Sequence, residues 1–171
     1  MKNWLMILPL LSLLTLANCA STSTVSDGTV IPKETLQPYA GWVQQAMNVD
    51  MVSIPITVAS GSRLKTSLGL KGVQQARAMA AYLPGQIILN NIAWDPGSLR
   101  SQSYLIHEMV HHAQLLSGRH YACDDAKERE AYTLQNRWLV EHGEEPMVSE
   151  EFISKISACT VESRSEDPGL S

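Results

Sequence analysis

The chain has 171 residues, 44% hydrophobic and 18% charged, with a formal net charge of −4. That length suits one domain, and about 150 residues bury roughly 70% of their unfolded surface, enough for a core without obligatory staples. The balance excludes a disordered chain and argues against a nucleic-acid partner, which needs a basic footprint.

Residues 1–19, MKNWLMILPLLSLLTLANC, set Lys2 before an apolar run from Trp4 to Leu16, interrupted only by Ser12 and Thr15. Such a run, about 13 residues, is too short to cross a bilayer, which takes roughly 20, and it fits the apolar part of a signal peptide. Leu16-Ala17-Asn18-Cys19 resembles a bacterial lipobox, with Asn18 where Gly, Ala or Ser is usual. The resemblance implies lipidation of Cys19 as the mature N-terminus; the competing reading is plain cleavage near Cys19 or Ala20. Without Asp after Cys19, the pattern is similar to outer-membrane rather than inner-membrane sorting. The expectation is an exported, periplasmic protein, touching a membrane only through a lipid anchor at Cys19. Residues 20–32 are rich in Ser and Thr and carry no apolar period, so they read as a flexible tether.

A domain is expected over 33–160. Leu36, Tyr39, Ala40, Val43 and Met47 recur at helical spacing within 33–48, with Pro38 near the start. The β-branched segment 52–60 predicts a short strand, and Pro55 suggests an edge or a break. The Ala-rich stretch 72–83 predicts a helix stopped by Pro84-Gly85. Residues 86–94 read as a strand, followed by an Asp95-Pro96-Gly97 turn. Ser98 then caps a helix running to Ser117 and ending at Gly118. A second strong helix is expected from about Asp124 to His142, with acids in its first turn and Gly143 after it. A last helix covers 149–159, and the polar tail 161–171 is expected to be loose. The fold class is α+β, mainly helical. Trp94 and Trp138 read as core residues.

The chemistry lies in His107-Glu108-Met109-Val110-His111, an HExxH inside the apolar helix 98–117. Positions i and i+4 stand about 40° apart around a helix and one turn up, so both imidazoles point the same way and can hold one metal ion. Glu108 lies about 60° from His111, close enough to reach a water at that ion without ligating it. Two neutral imidazoles suit Zn²⁺, which in catalytic sites takes three protein ligands and a water. The ion acidifies the water, and Glu108 accepts its proton. His112 points elsewhere and reads as a supporting or exposed residue.

The third ligand has to come from elsewhere. Gln114 and Ser117 stand where an HExxHxxGxxH motif would carry Gly and His, which excludes that class. The segment 127–139 offers Glu128 and Glu130, about 200° apart on a helix, so at most one faces the metal. Glu128 shares its stripe with Ala131, Tyr132, Gln135 and Leu139; Glu130 shares its stripe with Leu134, Arg137 and Glu141.

HExxH followed by Glu-x-x-Ala on a second helix resembles the gluzincin type of zinc metallopeptidase. The resemblance covers residues 98–140, with Glu128-Arg129-Glu130-Ala131 as the second element and Tyr132 where an acid or amide is usual. It implies a minimal zincin-like fold, a small sheet or edge strand against the HExxH helix, and a ligand helix after it. It implies Zn²⁺ held by His107, His111 and Glu128, with Glu108 as general base, acting on a peptide or protein substrate. Residues 86–92 are the expected edge strand for an extended substrate, and Tyr121, His120 and His142 are unranked candidates for stabilising the oxyanion.

Cys123 and Cys159 are the remaining cysteines, and export would let them pair and brace the helix that delivers Glu128; two separate buried thiols are the alternative. The competing function is a non-catalytic envelope lipoprotein that keeps the fold as a binding or scaffold module.

Overall fold

The computed structural model describes residues 26–51, 55–67, 79–92 and 94–160. The expected signal peptide, most of the tether and the C-terminal tail lie outside them, as do residues 72–78 of the expected Ala-rich helix. Among the described residues, five helices and a three-stranded sheet give an α+β fold that is mainly helical.

Helix α3, Leu99–Ser117, organises the molecule. Ser98 caps it by accepting from the Ser101 amide at 3.3 Å, and Gly118 ends it in the left-handed region at φ 60°. Its stripe of Leu105, Ile106, Met109, Val110 and Ala113 is fully or almost fully buried. Burying each large aliphatic side chain there stabilises the fold by roughly 1.5–3 kcal/mol before the ordering cost. Helix α1, Lys33–Met47, packs Leu36, Val43 and Met47 against it, with Pro38 inside the helix rather than at its start. Helix α4, Ala126–Glu141, buries Ala131, Gln135, Trp138 and Leu139, and makes its main packing with α3. Helix α5, Glu150–Ile156, capped by Ser149, packs on α4 through Ile153.

The sheet runs in the order β1–β3–β2, with β1 at Ile56–Ala59, β2 at Ala80–Leu83 and β3 at Gln86–Asn90. β1 and β3 are parallel; β2 and β3 form an antiparallel hairpin. Helix α2, Gly61–Ser67, follows β1 and carries Leu64 into a small cluster with Ala59, Ala81 and Ile88. Ile56, Val58, Ile87 and Leu89 belong instead to the main core with α1, α3 and α4.

Four expectations change. Residues 80–83 are a strand, because pairing with β3 across the Pro84-Gly85 turn outweighs the helical preference of alanine. Residues 86–92 are not an edge strand. β3 is central, and its consecutive Ile87, Ile88 and Leu89 are buried because both faces are covered. The strand also stops at Asn90, short of the expected Trp94. The tether is ordered from Gly28: the Gly28 amide donates to Val58 O, Val58 to Thr29 O, and Ile31 to Ile56 O, a short ladder on the outer side of β1. Trp94 and Trp138 are buried as expected. No helix among the described residues is long and apolar enough to cross a membrane.

Candidate metal centre

His107 and His111 leave α3 on the face turned toward α4, one turn apart, as their spacing requires. Their Nε2 atoms lie 3.1 Å from each other. Glu128 enters from the first turn of α4 and sets one carboxylate oxygen 3.3 Å from each Nε2. The three donor groups come within 4.8 Å of one another, with His107 buried and the other two half-buried. Two imidazole nitrogens and one carboxylate converging on a single point form a donor set that fits Zn²⁺.

Glu130 takes no part. It accepts from Arg119 Nη1 and the Tyr121 hydroxyl, both at 2.8 Å, and from Gln114 Nε2 at 3.3 Å. This network pins the 118–122 loop to α4, and Arg119 also donates to Met47 O at the end of α1.

Glu108 lies beside the donors, half-buried and closely surrounded by protein. Burial pushes its carboxyl above the ordinary 4.5, partly offset by the nearby histidines and by the Tyr82 backbone N–H that it accepts. Burial would also raise Glu128, but hydrogen bonds with His107 and His111 outweigh it and bring the carboxyl down to about 2. For His111, burial acts to lower the pKa, and the Glu128 and Glu108 carboxylates overcome it and raise it above 6.5. The two glutamates therefore sit in opposed environments: one stays ionised, the other holds a proton more readily.

These groups face a cleft of about 810 Å³ lined by β2, α3, the 118–124 loop and α4. Tyr121 and His120 line it; Tyr121 is raised to about 12 by burial and by its hydrogen bond to Glu130. His142 is elsewhere, stacked on Trp138 at 4.1 Å with Nδ1–H donating to Trp138 O at 2.7 Å. It leaves the oxyanion candidates for that reason. His112 is buried under the sheet and shares a 3.3 Å hydrogen bond with the Tyr82 hydroxyl. Cys123 and Cys159 are joined by a disulfide, tying the residues before α4 to the chain just after α5.

Sequence reasoning did not assign Gln114, Gln135 or Ser103. Gln135 Oε1 accepts from His107 Nδ1 at 3.1 Å, and Gln114 Oε1 accepts from His111 Nδ1 at 2.9 Å. Their signal was present: Gln135 lies seven residues after Glu128 on the same stripe, and a buried amide on an apolar stripe needs a polar partner. Tyr132 shares the Glu128 stripe and departs from the motif, and the sequence assigns it no role. Its ring packs edge-on against His107 at 4.4 Å and lines the cleft, and burial takes its hydroxyl to about 12.

Residues 29–167 match the family described as a domain of unknown function, DUF6647, and the chain belongs to that family. No curated protein and no solved structure matches the chain.

Proposed function

We propose that the chain is a zinc-dependent hydrolase, a peptidase in which His107, His111 and Glu128 hold the ion and Glu108 is the general base. The observation that carries this reading is the meeting of both Nε2 atoms and the Glu128 carboxylate at one point of an open cleft, with Glu108 next to it. When bound, the ion supplies positive charge that polarises a peptide carbonyl and makes a nearby water more acidic. Glu108 takes a proton from the attacking water at its carboxylate and returns it to the leaving amine. Its raised pKa suits that exchange, because a base must also release the proton. Glu128 stays ionised and is the charged member of the donor set. Among the described residues strand β2, rather than 86–92, is the edge that borders the cleft, so an extended substrate would pair there. Of the three oxyanion candidates named from the sequence, Tyr121 and His120 are the two that line the cleft.

Export to the periplasm, with lipid anchoring through Cys19, belongs to the same proposal. The Cys123–Cys159 disulfide supports it, since such bridges persist in oxidising compartments.

The test is metal content together with cleavage of casein and of peptidoglycan peptides by the wild type and Glu108→Ala. The expected result is one zinc ion per chain in both proteins and turnover that falls by about 10²–10⁴-fold or more in the variant. Equal cleavage by the two, or bound zinc without any turnover in the wild type, would replace the peptidase with a binding or scaffold module.

A further inference from the structure

Gln135 and Gln114 each touch a histidine of the centre, and both are buried. The two ends of an amide side chain have nearly the same shape, so its neighbours decide which end faces which way. Behind Gln135 stands Ser103, which has a single hydroxyl proton and donates it to Arg100 O at 2.7 Å. A backbone carbonyl can only accept. The Ser103 oxygen therefore offers lone pairs to Gln135, and the amide nitrogen is the end that meets it, at 3.0 Å. The Gln135 carbonyl is left facing His107 Nδ1, which must carry a proton.

The second relay is shorter. Gln114 Nε2 donates to Lys127 O at 2.9 Å and to Glu130 Oε2 at 3.3 Å, both acceptors. Its carbonyl oxygen thus faces His111 Nδ1, which must also be protonated. A neutral imidazole with its proton on Nδ1 keeps its lone pair on Nε2. In both rings that is the atom beside Glu128.

We propose that Gln135, backed by Ser103, and Gln114 are positioning residues that keep a proton on Nδ1 of His107 and His111, so that Nε2, the atom beside Glu128, is the one each ring gives up to a divalent cation. The direction of each relay is set by a backbone carbonyl, Arg100 O or Lys127 O, and neither imidazole leans on a carboxylate through Nδ1. This rests on the reading of the centre as a metal site. It makes Ser103, which touches neither histidine through any hydrogen bond described above, a determinant of metal affinity. Without its hydroxyl, Gln135 is free to turn its NH₂ toward His107, which favours a proton on Nε2 and blocks ligation.

The test uses the purified, disulfide-bonded chain. Long-range ¹H–¹⁵N correlation of the metal-free protein, followed upward from about pH 8 because the His111 pKa is raised, reads which ring nitrogens carry protons. Both His107 and His111 are expected as Nδ1–H. Ser103→Ala should move His107 toward Nε2–H and leave His111 unchanged. In chelator competition, Ser103→Ala and Gln135→Met should weaken zinc binding by about 10–100-fold, and Gln135→Glu, which still accepts from Nδ1–H, should restore most of it. A wild-type histidine that carries Nε2–H with no proton on Nδ1 overturns the proposal, and that measurement stands even if a variant fails to fold. Unchanged tautomer and affinity in folded Ser103→Ala also overturn it. A wild type with both Nδ1–H tautomers but no affinity for zinc upholds the relays and sinks the metal reading instead.

Discussion

Glu128 and Glu130 stand two residues apart on α4 and belong to separate networks: Glu128 lies 3.3 Å from two histidine nitrogens, while Glu130 is 2.8 Å from Arg119. Alanine at each position should therefore fail differently. Glu128→Ala is expected to lose more than the 10–100-fold in zinc affinity that an outer partner costs, with the fold retained. Glu130→Ala should keep zinc within that range and lose about 1–3 kcal/mol of stability, because Arg119 and Tyr121 lose a charged acceptor. Isothermal titration beside urea unfolding separates the two, and strong loss of zinc in Glu130→Ala alone would reverse the assignment.

The metal-free protein should have a stability maximum between pH 4.5 and 6.5, the ordinary values of the two groups involved. Glu128 has a lowered pKa, so its contribution is complete above 4.5 and is lost as pH falls toward about 2. His111 has a raised pKa, so its contribution is complete below 6.5 and is lost as pH rises through the folded value. If the centre takes zinc as proposed, loading should reverse the alkaline limb, since the ion binds the deprotonated imidazole, and the optimum should move upward. Urea midpoints across pH, with and without chelator, give the profile; a chelated protein most stable at pH 8–9 would contradict it.

Removing the Cys123–Cys159 bridge should cost about 3–4 kcal/mol from chain entropy, given the separation of 36 residues. Cys159→Ser is expected to lower the unfolding midpoint and to abolish its sensitivity to reductant. A wild type whose midpoint does not respond to reductant would show that the bridge adds nothing.

Gly85 turns the β2–β3 hairpin at φ +86°, with nothing within 4 Å of where a Cβ would stand. Gly85→Ala therefore meets backbone strain and no clash, at about 1–2 kcal/mol. A fall in melting temperature of a few degrees is expected, with larger mobility at Tyr82, whose amide holds Glu108. An unchanged melting temperature would show that the hairpin tolerates the strain.

The sequence carried α1, α3, α4 and α5, though not α2, and did so largely because helix ends are local chemistry: Ser98, Gly118 and Ser149 act where capping rules put them. HExxH was equally readable, since four residues of helix geometry bring His107 and His111 together without help from the rest of the fold. The sheet was harder. Ala80–Leu83 has the composition of a helix and becomes a strand only through its partner, and the central place of β3 depends on layers far away in the chain. Glu128 could be separated from Glu130 by stripe alone, though weakly; what decides is the loop carrying Arg119 and Tyr121, whose position is tertiary. The glutamine relays are tertiary too, as each joins α3 to α4.

The ladder from Gly28 to Ile31 along β1 has a bearing on traffic around the molecule. It stoppers one flank of the sheet with the protein's own leading segment, so a visiting chain finds little backbone to zip onto there. Among the described residues the berth left over is the outer margin of β2, directly alongside Glu108. On the reading proposed above, those four residues would discourage edge-to-edge pairing at β1 and leave β2 as the strand for a substrate.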